Sequence, residues 1–137
     1  MDASNRMPTV LNAEYIYSSD DDGVLLVGFA DRQLEPTHYV LLQRQKRASA
    51  NDVALGQDRV HITVDDQGRS MYGGIRAVDL QSKTLKIELE REAARQLGTE
   101  QEILVRFATT DAERAKLAPR LRDLFSDAAD TTVIRLR

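Results

Sequence analysis

His38 and His61 are the only histidines in a chain of 137 residues that contains no cysteine. Imidazole is the side chain best suited to bind a transition metal or to carry a proton near neutral pH, so these two positions bound the available chemistry. A metal centre using both would draw its remaining ligands from carboxylates, and no His-x-x-x-His spacing sets two imidazoles on one helical face. Without cysteine there is no disulfide, thiolate nucleophile or cysteine-ligated metal. No serine stands in a G-x-S-x-G elbow, and a small hydrolase would have to use His61 with Asp65 or Asp66 as an acid–base pair. Catalytic, cofactor-binding and metal-binding residues are accordingly read as none.

Two acidic turns resemble cation loops superficially. Ser18, Asp20, Asp22 and Gly23 fall on positions one, three, five and six of a calcium loop, but position twelve is Phe29, where a bidentate glutamate is required. Asp65-Asp66-Gln67-Gly68 reads the same way. Both are expected to be hairpin turns, with Asp21, Asp22, Asp65 and Asp66 offering negative charge to a cationic partner. Tyr72-Gly73-Gly74 is followed by neither a G-x-G-x-x-G pattern nor a P-loop lysine. The pair Gly73-Gly74 reads as a bulge or tight bend, or as a recognition edge that a partner approaches closely, with Tyr72 as a contact. Tyr39 and Gln43 share one strand face about 13 Å apart at ~3.3 Å per residue, too far for direct chemistry but able to line one broad surface. Arg44, Lys46 and Arg47 read as a solvated strand end carrying edge-protecting cations.

The elements that must position these residues are read from pattern. Leu11 to Tyr17 is expected to be one strand, joined through the acidic turn to the apolar run Val24 to Ala30. The continuous apolarity of that run predicts a central strand covered, or nearly covered, on both faces. Tyr39 to Lys46 alternates, with Val40, Leu42, Arg44 and Lys46 opposite Tyr39, Leu41, Gln43 and Gln45. A helical turn is expected around Asp52 to Leu55, closed by Gly56, and a second hairpin joins Val60–Val64 to Ser70–Tyr72. Leu85 to Glu90 alternates aliphatic with charged residues, so one side of its sheet meets water. A helix over Arg91 to Leu97 ends at Gly98, and a strand covers Glu102 to Thr109. Thr110 and Glu113 then form a capping box for a helix whose Leu117, Leu121, Leu124 and Phe125 dock it, with a kink or restart at Pro119. Thr131 to Arg137 either adds an edge strand or frays.

Hydrophobic residues form 42% of the chain and charged residues 30%, a balance that supports one soluble domain. Residues 1–9 read as a flexible leader and 10–137 as a single α+β domain. The fold expected is a mainly antiparallel twisted sheet of about six to eight strands, with a short helix and a longer C-terminal helix on one face. The net charge of -3 argues against nucleic acid as a partner and favours a basic protein. No apolar run is long enough to span a bilayer and the amino terminus lacks a secretory pattern, so a cytoplasmic location without membrane contact is expected.

Tyr15, Asp21-Asp22-Gly23, Val27-Gly28-Phe29-Ala30, Tyr39 to Arg44, Asp52 to Gly56, Tyr72-Gly73-Gly74-Ile75 and Leu85-Ile87-Leu89 with Ala93-Ala94 and Leu97 follow in an order that resembles the immunity protein 10 family of bacterial polymorphic toxin systems. The resemblance implies a non-enzymatic α+β protein that binds and neutralises a cognate toxin domain. The segment from Ala128 to Arg137 extends past the end of that pattern. A binding or scaffolding module that forms a homodimer through the edge of residues 131–136 is the competing expectation.

Overall fold

Glu14 divides the first extended stretch into two strands that join different sheets. The computed structural model describes residues 7–108, 110–126 and 132–136. Within them β1 (Thr9–Ala13) runs parallel to β9 (Glu102–Phe107), whereas β2 (Tyr15–Ser19) pairs antiparallel with β3 (Val24–Ala30). The remaining strands are β4 (Tyr39–Gln45), β5 (His61–Val64), β6 (Asp66–Tyr72), β7 (Ile75–Leu80), β8 (Thr84–Leu89) and β10 (Val133–Leu136). They make two five-stranded sheets, ordered β1-β9-β8-β7-β10 and β2-β3-β4-β5-β6. The expected single sheet is thus corrected to two, although the α+β class stands. Most of the flexible leader expected over residues 1–9 lies outside the described residues, and Thr9 already opens β1.

The chain changes sheet a second time at Gly73-Gly74, between β6 and β7. Both glycines have positive φ, at 77° and 83°. A Cβ on Gly74 would stand 2.6 Å from the Cβ of Ala93, and one on Gly73 would enter the Arg59 guanidinium. Helix α2 (Arg91–Leu97) can therefore press against the crossover only because no side chain stands there. Gly98, also left-handed, terminates α2 as expected.

The inner faces of the two sheets enclose one core, in which the rings of Phe29 on β3 and Phe107 on β9 stack 5.7 Å apart. Helix α3 (Asp111–Phe125) buries Leu117, Leu121, Leu124 and Phe125 in that core. It runs unbroken through Pro119, so the restart expected there does not occur. Pro119 is exposed, as is Ala115 four residues before it, so the carbonyl that loses its helical partner lies on the watered side while the opposite face stays anchored.

α3 also ties the sheets together. Arg114 donates to the Gln81 carbonyl between β7 and β8 at 3.2 Å, near the start of the helix. At its other end Arg44 of β4 donates from Nε to Leu124 O and from Nη2 to Asp123 O, each at 2.8 Å. Arg44 is only 8% exposed, so the solvated strand end expected there is corrected: this cation is the buried cap of a helix C-terminus. The outcome is consistent with its position on the same strand face as Val40 and Leu42.

Two shorter elements follow the pattern. Helix α1 (Ala50–Ala54) carries a reciprocal capping box between Ser49 and Asp52. β10 takes the edge beside β7 in parallel, with Ile134 and Leu136 packed on the core.

Replacing Arg44 with methionine keeps its bulk and removes the donor to the buried Leu124 carbonyl, while Asp123 O retains the Ser126 hydroxyl at 3.0 Å. It should lower unfolding free energy by about 2 to 3 kcal/mol in urea titrations, the range for bonds to a charged donor. Gly74→Ala should cost at least about 2 kcal/mol in the same assay, because left-handed backbone is unfavourable for alanine and its Cβ meets Ala93.

Candidate protein-binding face

The register of the second sheet sorts its residues into two sets. Leu25, Val27, Phe29, Val40, Leu42, Ile62 and Val64 point into the core. The opposite set forms rows across the outer face. One row is Tyr17, Gly28, Leu41, Thr63 and Ser70; the next is Ser19, Leu26, Gln43, His61 and Tyr72; a third holds Tyr15, Ala30 and Tyr39. All four tyrosines of the chain stand on this face. Among its described residues in these rows there is no Asp, Glu, Lys or Arg, in a chain where such residues make up 30%.

The outer face of the other sheet provides an internal contrast. There Lys86, Glu88, Glu102 and Arg106 project outward, and Lys86 pairs with Glu102 at 3.7 Å. That is an ordinary solvated surface. The tyrosine face instead has the composition of an interface centre, depleted in charge and enriched in aromatic rings. The run Val24 to Ala30 was expected to be covered, or nearly so, on both faces; its outward residues Val24, Leu26, Gly28 and Ala30 are partly open. They are apolar without a second layer over them, and Tyr15, Tyr17, Leu26, Gly28, Tyr39 and Leu41 border a groove of about 360 Å³.

Beside the groove lies a neutral polar cluster. Gln43 Nε2 is 3.3 Å from His61 Nδ1, and the Tyr72 ring meets the His61 ring edge-on at 4.7 Å between centroids. Burial pushes the His61 pKa below the ordinary histidine value of 6.5, favouring the uncharged ring. His38 belongs elsewhere, 3.2 Å from Asp65 Oδ2.

The structure brings Tyr39, Gln43 and Tyr72 onto this one face and sets the other sequence-derived candidates apart. Gly73 and Gly74 make the crossover between sheets. Asp65, at φ 64°, accepts from the Tyr39 amide at 3.0 Å and lies 3.5 Å from Arg69 Nη1, so it fastens the β5–β6 turn. It is bonded to His38 and not to His61, which separates the acid–base pair that a hydrolase would need. Asp66 accepts from the Gly68 amide at 2.8 Å. Asp21 and Asp22 form the tight 3-10 turn before β3, where Asp22 shares a depression with Lys46 and Arg47. The neighbouring Asp20 binds Arg120 at 2.9 Å, which holds its carboxyl below the usual range. Among the described residues, no group of three or more His, Cys, Asp or Glu is placed to hold a metal ion.

Tyr15, Tyr17, Leu26, Gly28 and Leu41 stand on this face without having been singled out as partner contacts, and His61, weighed for metal and acid–base chemistry, joins them. Their signal was the period-two alternation itself: Tyr15 and Tyr17 share one side of β2, as Leu26 and Gly28 do of β3.

The scaffold is thus a two-sheet α+β fold with one charged and one uncharged aromatic outer face. The family model for Immunity protein 10 matches residues 11–115, so this chain belongs to the immunity protein 10 family. The match includes both sheet crossovers and nine of the ten strands, while most of α3 and all of β10 follow it. Comparison with curated proteins returns no match. No helix among the described residues is long and apolar enough to cross a membrane.

His61 gives this face a pH signature. Because its folded pKa is depressed, the unfolded chain takes up the proton first as pH falls. Stability is full above the unfolded value of 6.5, declines as pH drops towards the lower folded pKa, and levels off beneath it. Urea unfolding followed from about pH 7.5 to about pH 5 should show this decline, and His61→Gln should remove that component of it.

Proposed function

We propose that the protein neutralises a cognate toxin domain by binding it through the outer face of β2–β6, and that it transforms no substrate. The observation that carries this reading is the gathering of every tyrosine onto one uncharged sheet face. Tyrosine brings large apolar area with a polar tip and little rotamer entropy, which makes it an effective anchor in protein–protein contacts. An aromatic, charge-depleted face has little use to a protein working alone, since it leaves apolar surface in water. Family membership supports a toxin as the partner, and the geometry supports this face as the contact.

Occupation of another protein also suits the arrangement of polar groups. Gln43, His61 and the Tyr72 hydroxyl can exchange hydrogen bonds with partner backbone or side chains at the margin of the groove without bringing a fixed charge into the contact. The proposed site of action is the cytoplasm, where a producing cell would need protection from the toxin; nucleic acid has no place in the mechanism.

The experiment is co-expression with the toxin domain encoded beside this gene, together with calorimetric titration of the purified pair. Wild-type protein should restore growth and bind at one-to-one stoichiometry. Tyr17→Ala and Tyr39→Ala should each weaken binding by about 2 kcal/mol, roughly 30-fold in Kd, with melting temperature nearly unchanged. Protection that survives the loss of both rings would show that another surface makes the contact.

A further inference from the structure

We infer that Gly28 forms the floor of a socket that receives one uncharged apolar or aromatic side chain of the toxin. This deepens the reading above and rests on it. Gly28 occupies an interior position of β3, with Tyr17 paired to one side and Leu41 to the other. Glycine is a poor residue there, because it adds chain entropy to the unfolded state and contributes no cross-strand packing.

The scaffold does not demand it. Gly28 is absent from the positive-φ positions, unlike Gly73 and Gly74, so any residue can adopt its backbone. A Cβ built on it would meet Leu41 Cδ1 at 3.4 Å, Tyr17 O at 3.9 Å and Val40 O at 4.0 Å, all ordinary contacts. What a side chain would remove is the depth of the groove, which Tyr15, Tyr17, Leu26, Tyr39 and Leu41 border.

The walls choose the occupant. None of these residues carries a charge, so a lysine, arginine or carboxylate entering the socket would lose hydration with no counter-ion to meet it. An aliphatic or aromatic side chain loses nothing of that kind and gains contact with the rings. Electrostatic matching at this spot is therefore neutral to neutral, in contrast to the cationic partner suggested by the net charge of -3.

The test uses the full chain and the toxin domain encoded beside the gene. Gly28→Val fills the socket with a residue that favours strands, so melting temperature should hold or rise while Kd worsens at least about tenfold, as expected when an anchor pocket closes. Glu88→Ala, on the outer face of the other sheet, should bind as wild type. If Gly28→Val melts early, Gly28→Ala decides the matter, since its single methyl makes only permitted contacts: weakened binding with retained melting supports the socket, and unchanged binding overturns it. Wild-type affinity in a well-folded Gly28→Val overturns it likewise. A wild-type dimer that Gly28→Val converts to monomer, with toxin affinity intact, would assign the socket to a second copy and refute the toxin as occupant. Should the wild type neither bind nor protect against the toxin domain, the proposed function itself fails, an outcome distinct from loss in the variant alone.

Discussion

The guanidinium of Arg44 against the C-terminal carbonyls of α3 is the contact on which the division of this molecule into two faces depends. A cation on the inner side of a core strand would be prohibitively placed if its donors lacked acceptors. Leu124 O and Asp123 O provide them, and Gln45 O accepts a third bond at 2.9 Å. These carbonyls sit where the helix has partial negative charge, so one geometry satisfies the arginine and ends the helix. It also fixes which side of the second sheet α3 covers. With α3 committed to the inner side, the outer side of β2, β3 and β4 is left open.

That commitment places competing demands on β3 and β4. Their inner residues must fill a core shared with the other sheet, and their outer residues are free of packing duties. The other sheet uses the same freedom for charge, pairing Lys86 with Glu102. The second sheet instead has tyrosines, Leu26, Leu41 and a glycine. Both sheets share one core and one solvent, and the contrast between their outer faces accords with the proposed role of the second as a binding face.

Much of this was legible in the sequence where a local rule acts alone. The alternation of Tyr39 to Lys46, the helical turn around Asp52 to Leu55, the Gly98 stop and the Thr110 cap each follow from periodicity or capping within a few residues. The two-sheet architecture was not legible, because it depends on Glu14 and on Gly73-Gly74, where the chain leaves one sheet for the other. A bend between two extended stretches has no periodicity to mark it. Gly73-Gly74 did stand out, yet the cause of its conformation, Ala93 of a helix some twenty positions onward, is a tertiary contact. Arg44 was misread for a related reason: the helix carbonyls that satisfy it lie 79 and 80 residues along the chain. Within the candidate face, Tyr39, Gln43 and Tyr72 were found by residue type, whereas Gly28 has meaning only once its neighbours across the sheet are known.

Net charge was a poor guide to the chemistry of the face because it averages over surfaces with different roles. Several acids behind the value of -3 are already engaged: Asp20 with Arg120, Asp65 with His38 and Arg69, Glu102 with Lys86. Asp22 lies beside Lys46 and Arg47, so even the acidic turn presents mixed sign. Charges of this kind, at the margins of a neutral face, act over the distance at which partners first approach and are screened by salt. The rings and the groove act only after water has left. In the complex proposed above, lifetime would depend mainly on the second set, since affinity among related complexes varies chiefly through dissociation. On the proposed reading, marginal charge governs how often a partner arrives, and the uncharged face of β2–β6 governs how long it remains.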